Sequence, residues 1–237
     1  NSIAVSPTNS DSVLINIRNA SNGNSHGIYR SVDGGQTWNQ SNFSPTNIGT
    51  GGLGSNFKIY EVKYHPRVAD LIFIGTNEGI YRSDDNLATW TLLLGSSDVE
   101  EIEFHPTDDN IVYLYDSYYW GNNKNVVMRS TDQGFSYSQS NTVIGNNDNR
   151  SVHFSISTEC DDCLYWGSDN GVWISIDNGM NFTFRSNSGE SCGGFAVNDL
   201  DTTKMVYGYV DIDRSEDGGL TWVESTRWSL GNTNGAG

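Results

Sequence analysis

One stretch, GIYRSVDGGQTW from Gly27 to Trp38, is written five times along the chain with small changes. It returns as GIYRSDDNLATW from Gly79, VVMRSTDQGFSY from Val126, GVWISIDNGMNF from Gly171 and DIDRSEDGGLTW from Asp211. Its serine falls at Ser31, Ser83, Ser130, Ser175 and Ser215, in steps of 52, 47, 45 and 40 residues. A period of that length suits one four-stranded blade that buries its apolar faces by stacking on copies of itself.

Each period carries the same order of elements. An alternating strand comes first (KIYEVKY, VEEIEF, SVHFSI), followed by a polar loop that often holds Pro. A second strand follows (LIFIG, IVYLY, CLYWG), then a third (GIYRS), and a fourth lies beyond the repeated stretch. The stretch itself spells a tight turn between antiparallel strands. Gly35 tolerates positive φ, Asp33 accepts from free turn amides, and Trp38 anchors the turn into the core. Ser31 and Thr37 add hydroxyl bonds to the backbone on either side.

The chain has 237 residues, 35% of them apolar, enough for a sizeable core burying roughly 70–75% of the extended-chain surface. Seven Trp, twelve Tyr, nine Phe and 26 Gly favour short strands and polar turns over helices. A net charge of −16 repels a phosphate backbone or an anionic membrane, and no apolar run reaches the ~18 residues of a spanning helix. Nucleic acid and membrane insertion are therefore set aside. The start, NSIAVSP, reads as a strand inside a repeat, so a processed or excised N-terminus is expected, and GNTNGAG at the other end reads as a linker.

The pattern S-x-D-x-G-x-T-W resembles the Asp-box, or BNR, repeat of sialidases, glycoside hydrolase family 74 and sortilin-type Vps10 receptors. The matching residues are Ser31, Asp33, Gly35, Thr37 and Trp38; Ser83, Asp85, Thr89 and Trp90; Ser130, Asp132, Gly134, Ser136 and Tyr137; Ser175, Asp177, Gly179 and Phe182; and Ser215, Asp217, Gly219, Thr221 and Trp222. Leu87 replaces the glycine in the second box and Asn181 the threonine in the fourth. The resemblance covers nearly the whole chain and implies an all-β propeller, with the box at the peripheral turn between third and fourth strands. Five blades are expected, over about 1–44, 55–95, 98–141, 150–186 and 193–226. Propellers of this type close with six, seven or ten blades, so further blades are expected from the same parent chain or another chain.

In a propeller, ligands meet the face formed by second-to-third strand loops and blade-joining loops. The longest such loops here are NIRNASNGNSHG and YDSYYWGNNKN. The latter, Tyr115–Asn125, places Asp116, Tyr118, Tyr119 and Trp120 together: flat rings for sugar C–H faces and a carboxylate for hydroxyls, or else rings that fill a blade interface. WGSDNGVW resembles the T-D-x-G-G loop that carries a catalytic acid in family 74, with Asp169 in that place. It is also a plain turn, where GTNEG puts Asn77. Asp211 and Asp213 form a further acidic pair on one strand. The Arg-Ile-Pro stretch of sialidases is absent, and so is the Cys-rich module that follows a sortilin-type propeller.

His65 and His105 recur in His-Pro positions and read as scaffold, while His26 and His153 lack partners at ligand spacing, so neither metal nor cofactor is expected. Arg30, Arg82, Arg129 and Arg214 all precede the box serine and are expected to repeat one structural contact. Cys160 and Cys163 flank a loop on the face opposite Cys192, beyond the ~7 Å reach of a bridge, so a local Cys160–Cys163 disulfide is expected. The N-x-S/T sites at Asn19, Asn39, Asn42, Asn149 and Asn181 are as many as chance gives a chain so rich in Asn and Ser. The leading expectation is a secreted or cell-surface scaffold binding glycan or protein through its loop face. The alternative is a family 74 type glycoside hydrolase, xyloglucanase-like, with part of its active site outside this segment.

Overall fold

The structure, a computed structural model, describes residues 2–18, 25–43, 57–119, 126–142, 152–168, 171–187, 193–208 and 212–226. It is all-β: five four-stranded antiparallel sheets, the blades of a partial propeller, in each of which the strands lie in chain order. The first sheet holds β1 (Ile3–Val5), β2 (Val13–Arg18), β3 (Ser25–Ser31) and β4 (Asn39–Gln40). The second holds β5 (Ile59–Tyr64), β6 (Ile72–Thr76), β7 (Gly79–Ser83) and β8 (Thr91–Gly95), and the third β9 (Ser97–Phe104), β10 (Val112–Tyr119), β11 (Val126–Ser130) and β12 (Ser138–Gln139). The fourth holds β13 (Val152–Ile156), β14 (Leu164–Ser168), β15 (Gly171–Ser175) and β16 (Thr183–Ser186). The fifth holds β17 (Gly194–Asn198), β18 (Asp201–Gly208), β19 (Ile212–Ser215) and β20 (Val223–Thr226). Two compact units divide the chain, Asn1–Asn147 with three sheets and Asp148–Gly237 with two.

Strand alternation sends successive side chains to opposite faces, which is how one sheet serves two interfaces. On β6, Ile72 and Ile74 join the cluster of Leu14, Ile28, Phe43 and Ile59, while Phe73 joins Val99, Ile102 and Leu114 of the third sheet. All five β6 residues and all five β7 residues are consequently buried. In the second unit Tyr165, Val172, Phe195, Met205 and Tyr207 form the equivalent layer.

The five boxes share one hydrogen-bond scheme. In the first, Ser31 Oγ donates to Asp33 Oδ1 at 2.6 Å and accepts from Gly35 N at 2.8 Å. Asp33 then receives Thr37 N at 2.9 Å and Thr37 Oγ1 at 2.6 Å. The fourth box keeps the scheme because Asn181 Nδ2 donates to Asp177 Oδ2 at 2.7 Å, replacing the threonine hydroxyl. Two consecutive residues per box adopt left-handed φ, as at Gly34 and Gly35 (69° and 90°) or Asn86 and Leu87 (56° and 69°). The box aromatic packs on a neighbouring ring: Trp90 lies 5.4 Å from Phe43 and Trp222 5.7 Å from Tyr207, centroid to centroid. Trp38 departs from the expected core anchor and is 37% exposed.

These donors hold the box carboxylates ionised: Asp33 is pushed down to about 2, first by the Ser31 hydroxyl and then by Thr37, and Asp217 to about 2, first by Thr221. Asp85 and Asp132 are also lowered, chiefly by Thr89 and Ser136. A carboxylate whose folded pKa lies below its unfolded value stabilises the fold above that unfolded value, near ~3.9, and loses the contribution as pH falls. Melting temperature should therefore fall between about pH 4 and pH 2, by an amount that solvent screening of these exposed carboxylates keeps modest. Calorimetry at fixed ionic strength checks this, and a flat profile there would show that the boxes contribute nothing.

Adjacent sheets are stitched by side chains that meet backbone. On the innermost strands, Val62 N donates to Ser2 Oγ (2.9 Å), Ile102 N to Glu61 Oε2 (2.6 Å) and Val197 N to Ser155 Oγ (3.0 Å). The His-Pro histidines are scaffold: His65 Nδ1 accepts the amides of Arg67 and Val68, and His105 Nδ1 those of Thr107 and Asp108. The arginines before the box do not share one contact, contrary to the expectation from their spacing. Arg82 is buried, bonds Gln133 O of the next box and lies 3.9 Å over the Phe135 ring, whereas exposed Arg214 meets only Glu216 at 3.7 Å. Arg214 belongs to the fifth sheet, and no later box follows it among the described residues. Cys160 and Cys163 are joined in a disulfide with Cα atoms 5.3 Å apart, and Cys192 lies outside the described residues.

Candidate functional site

The exposed aromatic loop expected over Tyr115–Asn125 is partly strand. β10 runs to Tyr119, so Asp116, Tyr118 and Tyr119 sit in its ladder, Asp116 opposite both Val99 and Val126. Asp116 is 2% exposed and accepts Asp98 N–H at 3.1 Å. It is therefore a buried acceptor rather than an exposed carboxylate beside a ring platform, because two partner strands continue past the point where sequence alternation ends. Trp120 and Asp169 lie outside the described residues. Around Asp169, Ser168 Oγ donates to Gly171 O at 3.2 Å, as Thr76 Oγ1 donates to Gly79 O at 2.8 Å in the equivalent turn. Asp213 is buried, paired in register with Tyr207 and Glu224, and Asp211 lies outside the described residues.

The structure assembles a polar cluster elsewhere, at the head of the innermost strands of the first unit. Register shifts in two successive sheets create it. Ile59 pairs with Thr76 and Glu61 with Gly75, leaving Tyr60 as the extra residue of β5. Val99 pairs with Asp116 and Glu101 with Tyr115, leaving Glu100 as the extra residue of β9. A bulge re-aims its side chain out of the alternating pattern. Tyr60 and Glu100 thus occupy equivalent bulges in neighbouring blades.

Arg18, at the end of β2, completes the cluster: its Nε donates to Ile59 O at 2.9 Å and its guanidinium stands 5.4 Å from the Tyr60 ring centroid. Glu100 Oε1 accepts Ser117 Oγ at 2.7 Å. Asp98 is pushed up to about 6, first by burial and then by the charges of Glu100 and Asp116. Burial also raises Glu100, against the Ser117 bond and Arg18, and raises the Tyr60 phenol beside Asp98 and Glu100. A carboxyl that keeps its proton up to about pH 6, beside one bonded as an acceptor, has the electrostatic form of an acid paired with a charge-tuning neighbour. The sequence held one trace of this: the Glu-Glu doublet in VEEIEF and Tyr-Glu in KIYEVKY break two-residue alternation where the bulges fall.

Among the described residues no group of His, Cys, Asp and Glu could hold a metal ion, and no helix is long and apolar enough to cross a membrane.

No protein-family model matches the chain. It is 27% identical over 202 residues to xyloglucanase Xgh74A of Acetivibrio thermocellus, covering 65% of this chain and 24% of that protein. It is 28% identical over 203 residues to a xyloglucanase of Hypocrea jecorina, covering 76% of this chain and 23% of that one. The fold is that of the GH74 enzyme of Niastella koreensis, with TM-score 0.71 and 19% identity over 94% of this chain and 37% of that structure. The chain spans about a quarter of the length of the curated relatives.

Proposed function

We propose that this propeller region, similar to xyloglucanases, is part of a glycoside hydrolase acting on a xyloglucan-type polysaccharide, with Asp98 as its proton donor. The observation that carries the reading is a carboxyl pushed up to about 6 at the start of an innermost strand, beside Glu100 and Asp116. Such a group gives its proton to the glycosidic oxygen as the C1–O bond breaks, so that the sugar alcohol is the leaving group and the side chain remains as the carboxylate. Glu100 keeps the proton on Asp98 by its negative charge, and Ser117 fixes the Glu100 oxygen. Arg18 and Tyr60 offer a guanidinium and a ring edge for sugar hydroxyls and C–H groups. The second carboxylate is assigned to blades outside this segment, Asp169 is kept as a rival candidate for the proton donor, and Tyr118, Tyr119 and Trp120 are proposed as glycan contacts.

What the relatives' names attest is turnover, which favours the hydrolase over the binding-only scaffold. The disulfide Cys160–Cys163 suits a secreted or cell-surface protein. Further blades are proposed to cover the outer faces of the end sheets, where Ile3 and Val5 in the first and Val206 and Val223 in the last are exposed. Reducing-end release from xyloglucan by the full parent protein, compared with Asp98→Asn, Asp169→Asn and Trp120→Ala, tests the assignments. Asp98→Asn is expected to lose release and Asp169→Asn to keep it, the reverse placing the donor on Asp169, and Trp120→Ala is expected to weaken binding. Xyloglucan bound without release by the unaltered protein would return the chain to the scaffold reading.

A further inference from the structure

We propose that the crevice between the first sheet and the second box is a binding site for a small aromatic carboxylate, anchored by the Arg30 guanidinium. Elsewhere in the chain the crevice beside a box is the seat of a cation whose partners come from the fold itself. Between the second and third sheets, Arg82 Nε donates to Asp84 Oδ1 at 3.0 Å, a second guanidinium nitrogen donates to Gln133 O, and the guanidinium carbon stands 3.9 Å from the Phe135 ring centroid. Between the fourth and fifth sheets, Ile174 holds the place of Arg82, and Arg185 of β16 donates instead to Gly218 O at 3.0 Å. Gln133 and Gly218 occupy the same place in their boxes, so the carbonyl there draws a guanidinium even when another strand must supply it.

The first sheet carries the cation without these partners. Arg30 precedes Ser31 as Arg82 precedes Ser83, so Val32 holds the place of Asp84. In the second box Asn86 holds the place of Gln133, and Ala88 that of Phe135. The crevice thus lacks both the carboxylate and the ring that hold Arg82. Arg30 Nε is buried and meets no hydrogen-bond acceptor among the described residues. Arg30, Val32, Asn86 and Ala88 line one cavity of about 340 Å³, together with Asn39 and Ser41 among others. Burial raises the Tyr64 phenol while the Ser12 hydrogen bond and the Arg30 charge oppose it, which sets the cation beside the second sheet.

The ligand class follows from the partners that differ. A buried guanidinium nitrogen without an acceptor carries a desolvation cost, and a planar carboxylate relieves it best. The small Ala88 leaves room beside the guanidinium for a flat ring, and Val32 and Ala88 are exposed apolar surface for it to rest on. The volume lies near the lower end of small-molecule sites, roughly 300–1,000 Å³, which suits one such acid and no polymer. Asp85 also lines the cavity, but Ser83 Oγ, Thr89 N and Thr89 Oγ1 engage its two oxygens within the box. The net charge of −16 opposes every anion, so a dissociation constant on the order of 1 mM is expected. The site does not rest on the hydrolase reading. Tyr64, Ile72 and Ser83 align at one end of the second sheet and Ile59, Thr76 and Gly79 at the other, so the crevice and the bulge cluster lie at opposite ends.

The test is titration calorimetry of the full parent protein at fixed ionic strength, with phenylacetate, acetate and phenylacetamide as probes. Phenylacetate should bind about tenfold more tightly than acetate, which lacks the ring, or phenylacetamide, which lacks the charge. Arg30→Gln should weaken phenylacetate by at least about tenfold. Val32→Asp rebuilds the Asp84 arrangement inside the fold, so it should abolish phenylacetate binding while raising the melting temperature. Phenylacetate that fails to bind the unaltered protein, or binds Arg30→Gln or Val32→Asp equally well, overturns the site. Equal affinity for acetate overturns the aromatic class, and equal affinity for phenylacetamide overturns the carboxylate.

Discussion

Asp98→Asn is expected to lower kcat/KM on xyloglucan by roughly 10²–10⁴-fold, the usual contribution of a positioned general acid. The pH dependence carries the stronger signature. A proton donor works only while protonated, and Asp98 gives up its proton near pH 6 in the free protein. Activity should therefore hold below about pH 6 and fall about tenfold per pH unit above it. Asparagine does not titrate, so the residual activity of the variant should lack that limb. Glu100→Gln removes a neighbouring negative charge that helps to hold the Asp98 proton. Its limb should shift to lower pH while the overall rate falls less than in Asp98→Asn. A wild-type profile that is flat from pH 5 to 8, or a limb unchanged in Asp98→Asn, would place the donor on another residue.

Gly134→Ala should destabilise the first unit by roughly 2–4 kcal/mol, one strained left-handed residue plus one overpacked methyl. Gly134 has φ 85°, and a Cβ there would stand 2.5 Å from Phe73 Cε1 and 2.7 Å from the Tyr137 hydroxyl. Phe73 is fully buried between two sheets and has nowhere to retreat. The second box shows the opposite solution at the same position. Leu87 has φ 69° yet its side chain is 3% exposed within the core of the first two sheets. Leu87→Gly relieves backbone strain of about 1 kcal/mol but forfeits a buried leucine, about 2–3 kcal/mol, so it should destabilise as well. Urea unfolding followed by tryptophan fluorescence measures both. A Gly134→Ala loss under 0.5 kcal/mol, or a stabilised Leu87→Gly, would show that position five of the box is set by something other than space and φ.

The two residues mark how far the sequence reached. Box spelling is local: the bonds of the shared scheme join residues two or four apart, so Ser130, Asp132, Gly134 and Ser136 announce their own geometry wherever they occur together. The exception at Leu87 was visible as a departure, but its compensation was not, because that comes from a cluster with residues distant in sequence such as Phe43 and Ile59. The candidate site was less legible still. Aromatic clustering drew attention to Tyr118, Tyr119 and Trp120, whereas the carboxyl with the most telling environment, Asp98, sits in an unremarkable Ser-Asp-Val.

By itself the sequence determined the repeat, the four strands per period, the turn at each box and the scaffold role of the His-Pro histidines. All of these depend on hydrogen bonds and alternation within a dozen residues. Only the tertiary structure decided that Asp116 is buried, that Tyr60 and Glu100 occupy matching bulges, and that burial and neighbouring charges push Asp98 upward. Register between β9 and β10 and desolvation by neighbouring sheets are sums over distant segments, and no local spelling encodes a sum of that kind.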